Sequence, residues 1–231
     1  MRPLAILYLA GMNLTATAFL FDLNGTLIDD MPYHTQAWHG ILNNDLQHFI
    51  PIEAVKQEMY GKNEEVLARI FGAGFFPPER VQEISLEKER RYQQAYLPEL
   101  RLLPGLQAFL DAAKAQGIRM AIGTAAIPFN VRFVTDHLHL DAYFPVVVTA
   151  DDVAESKPHP ATFLRCAELL GVDPADCVVF EDTPKGVESA RNAGMRAVVL
   201  LTTHEADEFA AYDNVVAMVK DYHELKVEGV G

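Results

Sequence analysis

Apolar runs rich in Val, Ile and Phe recur at residues 18–23, 119–123, 144–149, 177–180 and 197–201, and their length and composition predict buried strands. Between them lie segments with helical spacing at 106–116, 128–137, 160–170 and 184–192. Strands and helices alternating in this way predict a parallel sheet covered on both faces, the α/β, Rossmann-like doubly wound class. Gly117, Gly171 and Gly194 stand where helix C-termini favour a residue that tolerates left-handed backbone.

The alternation breaks between about residues 31 and 103, where helical stretches at 33–46, 52–59, 64–71 and 78–96 follow one another with no convincing strand. This interval reads as an all-helical insertion, with Pro32 and Pro104 at its edges restricting the two connections. The expected organisation is a core of residues 12–31 and 104–231 and a helical cap of residues 32–103. No internal repeat or low-complexity tract competes with it.

Composition narrows the function classes. At 231 residues and 50% hydrophobic content the chain can bury a sizeable core, which excludes a disordered protein. A formal charge of −13, from 32 acidic and 19 basic residues, repels nucleic acid and anionic membranes, and no basic patch offsets it. The cluster Glu87-Lys88-Glu89-Arg90-Arg91 mixes signs at helical spacing and reads as a solvated helix face. Cys166 and Cys177 lack metal-ligand spacing and read as reduced structural thiols, a usage that fits a reducing, cytoplasmic compartment; a disulfide would require the two sites to meet in space. Arg2 precedes an apolar run from Pro3 to Ala10, and Ala16-Thr17-Ala18 imitates a signal-peptidase site. Cleavage there would cut into the strand leading to Asp22, so no export is expected, and Met12 is a candidate start. No apolar run approaches the ~20 residues that span a bilayer.

In an open parallel sheet, ligands gather beyond the carboxyl ends of the strands, so the polar residues after each apolar run are the candidates for chemistry. Asp22 and Asn24 follow the first run, Thr124 the second, Lys157 lies a short loop beyond the third, and Glu181-Asp182 follow the fourth. Asp22 and Asp182 suit a hard cation, while the Thr124 hydroxyl and the Lys157 ammonium suit phosphoryl oxygens. Oxygen ligands from few carboxylates favour magnesium (Mg2+) over zinc, which prefers His or Cys. Singly, Thr124 also fits a strand end, Lys157 a surface lysine, and Glu181-Asp182 the cap of the helix beginning near Pro184. Their joint occurrence at successive strand ends points to one site. Gly25 allows the backbone to turn sharply beside a ligand.

In these four motifs the chain resembles the haloacid dehalogenase superfamily, specifically the beta-phosphoglucomutase-like phosphatases with a helical cap after the first strand. They stand in order as Asp22-Leu23-Asn24-Gly25-Thr26, Thr124-Ala125, Ser156-Lys157-Pro158, and Glu181-Asp182-Thr183, and the resemblance covers nearly the whole chain. It implies a magnesium-dependent phosphohydrolase acting on a small phosphorylated metabolite. Asp22 would form an aspartyl phosphate, with Thr124 and Lys157 stabilising charge on the transferring oxygens. The metal would be held by Asp22, the backbone carbonyl of Asn24 and Asp182, with Glu181 binding or orienting it. Gly25, Thr26 and Ala125 would line the substrate, joined from the cap by His34, Trp38 and Lys62. The expected partner is the metabolite alone, with the chain a monomer or weak homodimer.

Two departures matter. Where such phosphatases usually carry an acid/base aspartate, this chain has Asn24, whose amide can neither protonate a leaving group nor activate water. Losing general acid/base catalysis typically costs about 10²- to 10⁴-fold, so reduced turnover is expected. An engineered substitution, an enzyme for activated leaving groups and a phosphate-binding protein without turnover all account for the amide. His34 is a candidate substitute proton carrier, although a histidine on a mixed helix face is more often structural. Where beta-phosphoglucomutase carries an arginine for a second phosphate, this chain has Glu64, which ranks a sugar phosphate mutase below a hydrolase, with Lys62 and Lys88 the nearby positive charges.

Overall fold

The computed structural model of the chain describes residues 5–9 and 12–229. The chain divides into two units, one of Met1–Asp29 with Arg101–Gly231 and the other of Asp30–Leu100. The first opens with β1 (Ala5–Leu9), β2 (Met12–Ala16) and β3 (Ala18–Phe21). The chain then builds the second unit from α1 (Met31–Gly40), α2 (Ile52–Glu58), α3 (Asn63–Phe71) and α4 (Pro78–Tyr96). It returns through α5 (Leu106–Ala115), β4 (Arg119–Gly123), α6 (Pro128–His137), β5 (Val146–Val148), α7 (Ala161–Leu170) and β6 (Cys177–Glu181). The remaining elements are α8 (Pro184–Asn192), β7 (Arg196–Leu200), β8 (Val215–Val219) and β9 (Lys226–Gly229).

Six strands form one parallel sheet in the order β5-β4-β3-β6-β7-β8. Central β3 pairs with β4 on one side and β6 on the other, so the direction of winding reverses at β3 and a crevice opens beyond its carboxyl end. Register brings Phe21 beside Ile122 and Phe180, which aligns the residues that follow the strands. The period-2 alternation of β3 sends Phe19 and Phe21 to a face where they meet Phe109, Phe180 and Tyr222. Ala18 and Leu20 join the opposite face with Val179, Phe163 and Val187. Both faces are buried, as the continuous apolar runs require. Cys166 and Cys177 are free and buried, and burial pushes both thiols up to about 12.

Several expectations are corrected. The first predicted run ends as a strand at Phe21, because Leu23 O accepts the N–H of Leu27 in a tight turn. The edge strand β8 is absent from the sequence prediction; a long connection without a helical-period segment separates it from β7, so alternation gave no signal there. Arg2, Pro3, Leu4 and Ala10 lie outside the described residues, while Ala5–Leu9 of the N-terminal apolar run form β1. It is the middle strand of a separate antiparallel sheet, β2-β1-β9.

In the helical unit, Trp38, Ile41, Leu42, Val55, Val66, Leu67 and Ile84 form a buried apolar cluster. The helix expected over 33–46 is instead α1 followed by a π-helical turn at Ile41–Asp45. The solvated face expected at 87–91 fails at its centre, since Lys88 and Glu89 are each only 3% exposed. Among the described residues no helix is long and apolar enough to cross a membrane.

Candidate active site

Asp22 follows β3 directly, and its backbone N–H donates to Phe180 O at 2.9 Å, extending the sheet one residue beyond the strand. The chain turns at once: Gly25 N–H donates to Ile28 O at 2.8 Å, and Gly25 has φ of +75°. A side chain at Gly25 would be strained by that backbone and would collide with the Asp182 carboxylate, so glycine is required on two counts. Asn24 lies half-buried in this turn, and the Thr26 hydroxyl approaches Asp182 Oδ1 at 3.4 Å.

Lys157 reaches the same place from the loop before α7. Its Nζ donates to Asp22 Oδ1 at 2.6 Å and to Glu181 Oε1 at 2.8 Å. The loop is tied down from α8, where Ser189 Oγ donates to His159 O and Asn192 Nδ2 to Pro158 O. Glu181 accepts at its other oxygen from the N–H groups of Asp182 and Thr183 and from the Thr183 hydroxyl. The residue capping α8 is Thr183, whose Oγ1 accepts from Gly186 N; Glu181 and Asp182 do not serve as that cap. Thr124, buried after β4, accepts at Oγ1 from Ala126 N at 3.0 Å, with half-buried Ala125 between them.

One oxygen from each of Asp22, Glu181 and Asp182 falls within 4.8 Å of the others. Three buried carboxylates therefore share one ammonium, and their pKa values show the imbalance. Burial pushes Asp22 up to about 7, against the pull of Lys157. Burial, with Glu181 and Asp22 adding repulsion, pushes Asp182 well above the usual carboxylate range. Burial opposes ionisation of Glu181 too, but Lys157 and the N–H donors hold its pKa below the usual value. An oxygen-only donor set with uncompensated negative charge fits a divalent cation.

The remaining expected site residues lie in the helical unit. His34 stacks on Tyr92 with ring centroids 3.7 Å apart, and its Nδ1 lies 2.9 Å from Lys88 Nζ. Trp38 is in the apolar cluster of that unit, with Lys88 Nζ 5.3 Å from its ring centroid. Lys62 precedes α3, and its N–H donates to Glu65 Oε2.

Sequence reasoning missed Thr202, Thr203 and His204 after β7. Thr202 Oγ1 donates to Gly25 O at 2.5 Å, and Thr203 Oγ1 lies 2.5 Å from Asp182 Oδ2. They directly follow the fifth apolar run, the same relation to a strand that marks Asp22, Thr124 and Glu181-Asp182. Ser189 and Asn192 gave no such signal, being ordinary polar residues on a predicted helix.

A family model described as haloacid dehalogenase-like hydrolase matches residues 16–194. The chain is 34% identical over 186 residues to fructose-1-phosphate phosphatase YqaB of Escherichia coli, covering 78% of this chain and 93% of that protein. It is 33% identical over 189 residues to beta-phosphoglucomutase of Bacillus subtilis, covering 78% of this chain and 81% of that one. Its fold is similar to the crystal structure of CbbY from Rhodobacter sphaeroides in complex with phosphate, with a TM-score of 0.75, 26% identity, and coverage of 90% of this chain and 95% of that one. The matched segment contains β3, Lys157 and the Glu181-Asp182 pair, and with them the whole acidic cluster. By fold, by motif order and by the cluster those motifs assemble, this chain belongs to the haloacid dehalogenase-like hydrolases, in the neighbourhood of the beta-phosphoglucomutases and their phosphatase relatives.

Proposed function

We propose that the chain is a magnesium-dependent phosphohydrolase that passes the phosphoryl group of a small phosphorylated metabolite first to Asp22 and then to water. The observation that carries this reading is the Lys157 ammonium 2.6 Å from Asp22 Oδ1 in a cluster with two further carboxylates. A carboxylate attacks an anionic phosphate only where cationic groups offset the repulsion and hold the reactants in line. Asp22, Asp182 and the backbone carbonyl of Asn24 would hold the ion, and Glu181 orients Lys157. When bound, magnesium supplies positive charge to the phosphoryl oxygens.

An Asp22 oxygen attacks phosphorus, the bond to the leaving oxygen breaks, and that oxygen keeps the electron pair. Thr124 accepts at Oγ1 from Ala126 N, so its hydroxyl proton is available to a phosphoryl oxygen. Lys157 shares the remaining charge. Water then attacks the aspartyl phosphate, releasing inorganic phosphate and regenerating Asp22. Asn24 can neither give a proton to the leaving oxygen nor take one from the attacking water, so solvent must do both, and leaving groups that need little protonation react fastest. Phosphorylated sugars are the class to try first, because one relative is named as a fructose-1-phosphate phosphatase.

The amide at Asn24 also favours a second reading, a protein that binds a phosphorylated metabolite without turning it over. Phosphate release from a panel of sugar phosphates, acyl phosphates and pyrophosphate, with magnesium, separates the two. Measurable release is expected, rising about 10²- to 10⁴-fold on monoesters in Asn24→Asp. Tight binding by calorimetry with no release in either protein would instead establish the binding protein.

A further inference from the structure

The loop after β7 touches both halves of the acidic site through Thr202, Thr203 and His204. Thr203 Oγ1 lies 2.5 Å from Asp182 Oδ2, 3.1 Å from Asp182 O and 2.9 Å from His204 Nδ1. A hydroxyl has one proton to give. The nearest acceptor, Asp182 Oδ2, takes it, because that contact is the shortest of the three. The contact with His204 must then run the other way, from a protonated Nδ1 into Oγ1. The hydrogen bonds form a directed chain, His204 Nδ1–H to Thr203 Oγ1–H to Asp182 Oδ2. The same carboxylate faces the bare Cα of Gly25, where a Cβ would collide with it, and Thr202 Oγ1 donates to Gly25 O at 2.5 Å. Asp182 is thus held between a turn and a loop that are themselves bonded together.

We propose that Thr203, oriented by His204, is a positioning residue that fixes the Asp182 carboxylate for the divalent cation, with Thr202 locking the same loop to the turn after Asp22. This rests on Asp182 serving as a cation ligand. A carboxylate that is fixed beforehand loses less rotational freedom when the ion binds, and partners of this kind commonly contribute 10- to 100-fold (about) to metal affinity.

Titration calorimetry of the full metal-free chain with Mg2+ alone, paired with melting temperatures, tests it. Thr203→Val is expected to weaken Mg2+ binding by about 10- to 100-fold, and Thr203→Ser to restore it. His204→Phe keeps a ring beside Phe209, whose centroid is 6.2 Å from that of His204, but lacks the donor, and it should weaken binding in the same direction. His204→Asn, whose amide N–H stands near the Nδ1 position, should recover it. Wild-type affinity in Thr203→Val, or failure of Thr203→Ser to rescue, overturns the proposal. So does an affinity loss that merely follows a fall in melting temperature. If Thr203→Val does not fold, equal affinities in His204→Phe and His204→Asn overturn it. A wild-type chain that binds no Mg2+ overturns Asp182 as a ligand as well, an outcome distinct from a wild type that binds while Thr203→Val binds equally well.

Discussion

In the core unit three carboxylates, Asp22, Glu181 and Asp182, crowd around one ammonium, Lys157. In the helical unit two carboxylates, Asp30 and Glu89, meet one ammonium, Lys88, and one imidazole, His34. That second cluster is also rich in neutral donors: Tyr92 OH donates to Asp30 Oδ2 at 2.6 Å and Asn63 Nδ2 to Glu89 Oε1 at 2.7 Å. Both clusters are buried, so desolvation acts against every charge in them, yet the outcomes differ. Asp22 and Asp182 are pushed up in the core, whereas Lys88 and His34 overcome burial and draw Glu89 down to about 2. Burial pulls Lys88 itself below the usual lysine range and pushes the Tyr92 hydroxyl, beside Asp30, well above that of a free tyrosine. A cluster whose charges find partners within the chain is a way of building a cap. A cluster whose carboxylates outnumber its cations has the donor chemistry of a divalent-cation site.

The contrast can be broken most strongly at Asp22. Asp22→Asn keeps the shape and removes the attacking oxygen, so steady-state phosphate release should fall by about 10⁴-fold or more, while the helical unit is untouched. Retained turnover would sink the assignment of Asp22. Next in size, Lys88→Met leaves Glu89 buried without its ammonium and should cost about 3–5 kcal/mol, read as a lower melting temperature by calorimetry. An unchanged melting temperature would show that the balance seen in this cluster carries no stability.

The pH response sharpens the same point. Glu89 has a folded pKa below its unfolded value, so its stabilisation is complete above about pH 4.5 and is lost as pH falls through about 2. The stability difference between wild type and Glu89→Gln should shrink by on the order of 3 kcal/mol across that window, as followed by denaturant titration. Last, magnesium at about 100 times its Kd should stabilise the wild type by about 2.7 kcal/mol and Asp182→Asn by much less. Equal stabilisation of both would place the ion elsewhere.

The fold was largely legible because its strands are buried on both faces, and β3, β4, β6 and β7 therefore stand out as uninterrupted apolar runs. The edge strand β8 is half-buried and reached through a connection with only a short 3-10 turn at Ala206–Phe209, so the same logic passed over it. The placing of Asp22, Thr124 and Glu181-Asp182 directly after apolar runs, and of Lys157 a short loop beyond one, was legible in the sequence. Lys88 and Glu89 were not, because a mixed-sign segment on a helix reads the same whether it faces water or a partner helix. Only the approach of His34, Asn63 and Asp30 from other parts of the unit makes burial of those two charges tolerable.

By itself the sequence determined the alternation of strand and helix, the helical insertion and the order of the acidic and basic motifs, since apolar period and turn chemistry are local properties of the chain. Tertiary structure decided how charge is shared. The 2.6 Å contact between Asp22 and Lys157 spans 135 positions, and the Thr203 hydroxyl reaches Asp182 from a loop 21 positions away. Electrostatic balance depends on distance and burial, and neither is written in the spacing of residues along the chain.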